Sequence, residues 1–163
     1  MYDHFPIITS LSFGVVALLV AGVFQAFSDF IMAGLKRADA AAGVQVMQHI
    51  NRTVLRSVFL ISLLGLAPLS MGFALYAIFD LSGGPQLLIF TAALLYVSTV
   101  VLVTIGANVP RNEHLDAVTA TSDKARAYWS VYVREWTRWN HVRTLGAATT
   151  GILYLVAAAQ LTG

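Results

Sequence analysis

All ten lysines and arginines of this 163-residue chain lie in two stretches, residues 36–56 and 111–143. Around and between them run four long segments almost free of charge. Residues 7–32 hold one charged side chain, Asp29, while 57–79, 86–107 and 144–161 hold none. A helix needs about 20 apolar residues to cross a bilayer, so each segment qualifies as a span. The expected fold is all-α: one domain over residues 1–163, a four-transmembrane-helix bundle. The spans cover about residues 7–32, 57–79, 86–107 and 143–161, and spans 2 and 4 carry helical extensions. A Lys/Arg excess marks the cytoplasmic side. Both basic loops are therefore expected in the cytoplasm, with both termini outside.

Charged residues make up 11% of the chain, against roughly 25% in soluble domains. The formal charge of +2 matters through its placement, and no Lys/Arg run resembles a nucleic-acid patch. With no cysteine, disulfides, thiolate catalysis and iron–sulfur ligation are excluded. Residues 1–6 lack a basic n-region and the first apolar run is too long for a signal peptide, so it reads as a first span.

The loops carry helical patterns of their own. Residues 80–85, rich in Gly and Pro, predict a tight turn between antiparallel spans 2 and 3. In residues 40–56, Val44, Met47, Asn51, Val54, Leu55 and Val58 share one helical face, with Gln45, His49, Arg52 and Arg56 opposite. This helix is expected to run straight into span 2, where Pro68 predicts a kink. Asn108-Val109-Pro110 is expected to end span 3, because the residue before a proline resists helix. Thr121-Ser122-Asp123 reads as a helix start, opening one long helix over about 123–161. On it Ala125, Trp129, Tyr132, Trp136, Asn140 and Arg143 recur every three or four residues. In span 1 a packing face is expected through Gly14, Leu18, Ala21, Gly22, Gln25, Ser28, Asp29 and Met32, since small residues let membrane helices approach closely.

With these helices side by side, polar groups from all four converge near the cytoplasmic end. They are Gln25, Ser28 and Asp29, then Asn51, then Asn108 and Asn112, then Asn140 and Arg143. Polar groups in lipid are costly unless they face a bundle interior or a wet cavity, so this level is the candidate site. An Asp29–Arg143 ion pair is expected, directly or through an amide; the alternative has Arg143 snorkelling to headgroups and Asp29 in water. Asn108 and Asn112 flank a proline and stay open as helix caps. Asn51 and Asn140 stay open as interhelical bridges, and the aromatic stripe, Trp136 included, as packing. No two histidines are spaced i, i+3 or i, i+4, and His49 and His141 fall on outward faces, so haem or metal ligation is not expected.

Two stretches now gain meaning: Asn108-Val109-Pro110-Arg111-Asn112-Glu113-His114-Leu115 and Trp136-Thr137-Arg138-Trp139-Asn140-His141-Val142-Arg143-Thr144. They resemble the signature stretches of the anthrone-oxygenase-like family of small four-helix membrane proteins. Gly22-Val23-Phe24-Gln25-Ala26-Phe27-Ser28 and Met47-Gln48-His49-Ile50-Asn51 resemble the corresponding first- and second-helix segments. The resemblance highlights Asn51, Asn108, Pro110, Asn112, Trp136, Asn140 and Arg143. Arg111 stands where an apolar residue is expected and His49 where a basic one is.

The resemblance implies oxidation of polycyclic anthrones to anthraquinones by O2, without metal or flavin. On it Arg143, Asn140 and Asn51 would hold an oxyanion, with Asp29 as base or as the group orienting Arg143, and His141 as the alternative base. Trp136 would stack on the substrate ring, and Asn108, Asn112, Gln25 and His141 would complete its surroundings. The implied partners are the lipid bilayer, an aromatic small molecule and O2, with no nucleic acid; association into a homo-oligomer stays open. Two other functions stay open beside it: a non-enzymatic membrane scaffold or subunit, and a small-molecule binder or transporter using the polar cavity.

Overall fold

The computed structural model describes residues 4–162; Met1–Asp3, which belong to the N-terminal stretch weighed above as a leader, and Gly163 lie outside the described residues. Among the described residues there are five helices and no strands. Helix α1 covers His4–Arg37, α2 Ala40–Val54, α3 Val58–Asp80, α4 Gly83–Asp116 and α5 Asp123–Leu161. All but α2 are long and apolar enough to cross a membrane, which makes this an integral membrane protein. Helices α1 and α5 share the most extensive interface, followed by α4 with α5 and α3 with α4.

The α1–α5 seam exists because two glycines meet. A Cβ on Gly14 would stand 3.2 Å from the Gly151 carbonyl oxygen, and one on Gly151 would stand 3.0 Å from that of Gly14. Ala17, Ala21 and Ala147, all buried, extend this small-residue contact, the device by which membrane helices pack without a hydrophobic drive. At the other end of the molecule α2 lies against α5, where Gly43 leaves room for the Trp129 ring, 2.7 Å from where a Cβ would sit. Asp39 caps α2 by accepting from the Ala41 and Ala42 amides at 2.9 and 3.4 Å, and Ser122 caps α5 at the Ala125 amide, satisfying orphan helix donors.

The structure corrects several boundaries. Helix α2 does not continue into α3: the chain breaks at Leu55–Ser57, and Ser57 caps a new helix through the Leu60 amide. The change of axis turns Leu55 and Val58 outward, 68% and 78% exposed, so they leave the face that Val44 and Met47 bury. Helix α4 starts at Gly83, whose φ of 70° is open to glycine at little cost. It does not stop before Pro110 but runs on to Asp116.

A proline is tolerated there because the preceding turn is already wide. Residues Thr104–Asn108 form a π-helical turn, in which the Val109 amide bonds the Thr104 carbonyl. Beside the proline the Arg111 guanidinium donates to the Ala107 carbonyl oxygen at 2.7 Å, a side-chain bond of the kind that supports the backbone of irregular membrane helices. Two further π-turns occur at Phe27–Ile31 in α1 and Val97–Val101 in α4. Such turns recur at functional sites, and two of the three border the polar layer.

Candidate active site

The polar layer sits where α1, α4 and α5 meet beneath α2. Asn140 is fully buried. Its Nδ2 donates to the Phe24 carbonyl at 2.6 Å and to Ser28 Oγ at 2.7 Å, tying α5 to α1 at the edge of the first π-turn. Its Oδ1 accepts from Arg143 Nη2 at 2.7 Å. Arg143 Nη1 donates to Thr104 Oγ1 at 3.3 Å, which brings in α4. The guanidinium lies over two rings, 4.4 Å from the centre of Phe24 and 5.2 Å from that of Trp136, within cation–π range.

A second knot fixes the aromatic wall. Asn112 Oδ1 accepts from both Trp136 Nε1 and the Tyr132 hydroxyl at 2.9 Å. Asn108 Nδ2 donates to the Trp136 carbonyl at 3.2 Å. Trp129, Tyr132 and Trp136 form a column along α5, with ring centres 5.7 and 6.4 Å apart in sequence. Gln48, buried on α2, donates to the Leu115 and Val118 carbonyls at 2.8 and 2.9 Å, so α2 is held over the end of α4.

These groups border a cavity of about 500 Å³, in the range of about 300–1,000 Å³ typical of small-molecule sites. Its wall is mostly apolar and flat-faced, with Phe24, Phe27, Phe59, Met47 and Leu63. The polar side chains in that wall are Asn51, Thr104, Asn112, Trp136 and Arg143, and Arg52, Glu113 and Asp116 stand at its more exposed parts. Arg52 and Asp116 pair at 2.7 Å, linking α2 to α4. Asn51 lies beside the Tyr132 hydroxyl, yet its buried Nδ2 makes no hydrogen bond of good geometry. Nor does Arg143 Nε.

Arg143 is therefore unusual electrostatically. It is 5% exposed, and among the described residues no carboxylate pairs with it. Buried charges are normally paired; this one is held by an amide, a hydroxyl and two rings, and keeps an unused N–H. The arrangement can receive an anionic or strongly polarised oxygen on a flat ligand.

Of the residues singled out from the sequence, Asn51, Asn112, Trp136 and Arg143 line the cavity and Asn140 supports it from behind. Asn108 is buried beside it without lining it, and neither it nor Asn112 caps a helix: both side chains bind α5. The Asp29–Arg143 pair does not form. Asp29 and Gln25 are exposed, because the buried face of α1 runs through Ala17, Val20, Ala21, Phe24 and Met32 and leaves Gly22 outside it. His141 is exposed and borders a separate shallow groove, and no cluster of three metal-ligating side chains occurs among the described residues. Sequence reasoning passed over Thr104, Gln48 and the rim carboxylates. Thr104 lies four residues before Asn108 and was within reach of the same helical phase, whereas Glu113, next to Asn112, lies about 100° round the helix and was not.

Residues 45–153 match the family model described as anthrone oxygenase. The matched segment contains every polar residue of the cavity wall and omits α1. No curated protein and no solved structure matches the chain.

Proposed function

Because the chain belongs to the anthrone oxygenase family, we propose that it is a membrane-embedded oxygenase that oxidises a flat, anthrone-like aromatic with O2 and uses neither metal nor flavin. The observation that carries this is the unpaired, buried Arg143 beside a cavity walled by aromatic rings. An anthrone has an acidic methylene across the central ring from a conjugated ketone. Loss of a methylene proton puts negative charge on the ketone oxygen, and the resulting enolate is electron-rich enough to react with O2 directly. Donors fixed in advance around that oxygen lower the barrier, since they need no reorganisation as charge develops. Arg143 is such a donor, with Asn140 and Thr104 fixing its fork, and Asn51 Nδ2, buried beside the Tyr132 hydroxyl, is a second.

Trp136 and Phe27, with ring centres 5.6 Å apart, supply faces for a planar substrate. The reaction balances without another oxidant: the methylene and O2 become a ketone and water, through a hydroperoxide. An apolar polycyclic substrate partitions into lipid, which suits a site inside a membrane bundle. On the charge rule the basic end, and with it the cavity, faces the cytoplasm.

The test is to purify the protein in mild detergent and follow O2 uptake and quinone formation with dithranol. The expected result is one O2 consumed per quinone, faster than the spontaneous reaction. A rate equal to the spontaneous one contradicts the proposal.

A further inference from the structure

Carbon–hydrogen cleavage needs a proton acceptor, and neither Asp29 nor His141 lines the cavity. Among the described residues that do line it, the only carboxylates are Glu113 and Asp116, and the two are not equivalent. Asp116 is taken by Arg52, whose Nη2 and Nε approach its Oδ1 at 2.7 and 2.9 Å. Glu113 enters none of the ion pairs formed among the described residues. It directly follows Asn112, whose side chain is pinned by Tyr132 and Trp136, so its backbone is fixed beside the aromatic wall. Glu113 is exposed and Arg143 buried; the cavity thus extends from a free carboxylate at its rim to a free guanidinium N–H inside. An anthrone carries its methylene and its ketone oxygen at opposite ends of one ring. A molecule seated with its oxygen at Arg143 turns the methylene outward, toward the rim. It also strips water from that rim, and a poorly hydrated carboxylate is a stronger proton acceptor.

We propose that Glu113 is the catalytic base of this site. The assignment rests on the oxygenase function proposed above. The Glu113 carboxylate takes one methylene proton, and the C–H electron pair passes into the ring and onto the oxygen at Arg143. After O2 adds at the carbon, the protonated carboxyl returns its proton to the peroxide. The carboxylate then takes the second hydrogen from the same carbon, the C–H pair forms the new carbonyl, the O–O bond breaks, and the departing hydroxide receives that proton and leaves as water.

Proton abstraction can be measured without O2. Anthrone is incubated anaerobically in D2O with the detergent-solubilised protein, and loss of the methylene proton signal is followed by NMR, with O2 uptake measured in parallel. The parent is expected to speed exchange. Glu113→Gln is expected to lose that acceleration by about 100-fold or more, the usual scale for a general base. Glu113→Asp is expected to keep part of it and Asp29→Asn all of it. Exchange at the parent rate in Glu113→Gln, with O2 uptake intact, overturns the role of Glu113 and leaves the oxygenase function standing. A parent that speeds exchange but not O2 uptake overturns the oxygenase function alone, and a parent that speeds neither overturns both.

Discussion

Arg143 and Asn140 stand one helical turn apart and do opposite work. Arg143 is a desolvated cation without a counter-ion, a cost to the fold. Asn140 is the strut that makes the cost bearable, binding α1 with one end and the guanidinium with the other. Replacing each therefore has different consequences. Arg143→Met is expected to melt in detergent at or above the parent temperature. Asn140→Leu strands the Phe24 carbonyl and Ser28 and leaves the guanidinium unsupported, and is expected to cost about 1–3 kcal/mol, the scale of an unsatisfied buried group. Thermal unfolding of the two purified variants checks both. These residues were legible because the first half of α5 is charged on its outer side, which sets the phase of the inner one. Gln25 and Asp29 were misassigned for the converse reason. Lipid is as apolar as a helix interface, so in α1 both faces look alike, and small residues such as Gly22 occur on the outside too.

Helix α2 is the one element that does not look like a span, and it closes the cavity. Two contacts hold it to α4, and they differ in kind. Gln48 donates two buried or half-buried hydrogen bonds to carbonyls at and just past the end of α4, whereas the Arg52–Asp116 pair is exposed. Exposed pairs are worth about 0–1 kcal/mol. Gln48→Leu is accordingly expected to destabilise the protein by about 1–3 kcal/mol and to raise amide hydrogen exchange across residues 40–54, while Arg52→Ala stays within about 1 kcal/mol. Equal effects of the two substitutions on exchange contradict this division. The amphipathic face of α2 was readable up to Asn51. Its break at Leu55–Ser57 was not, since no glycine or proline marks it. At Pro110 the signal misled in the other direction: a proline that ends an ordinary helix is carried through here by the π-turn before it.

At the scale of the whole molecule, hydropathy made the four spans plain, and charge placement marked the end where polar groups gather. The rest of the site depended on which side of each helix meets its neighbours, which only packing decides. On the charge rule the basic loops are expected on the cytoplasmic side, and this is open to direct test, since the chain has no cysteine. Single cysteines at Gln45 and at Ser82 are expected to react with a membrane-impermeant maleimide from opposite sides, Ser82 in intact cells and Gln45 only after permeabilisation; the reverse order inverts the topology. In the function proposed above, Arg143, a buried guanidinium without a counter-ion among the described residues, is what makes a membrane helix bundle an oxygenase. The most direct measurement is O2 uptake with dithranol by Arg143→Met beside the parent, both shown to be folded by their melting curves. The parent is expected to outpace the spontaneous reaction, and the variant to lose that acceleration by about 100-fold or more, the scale for a deleted oxyanion donor. A folded Arg143→Met that consumes O2 as fast as the parent contradicts this role of Arg143.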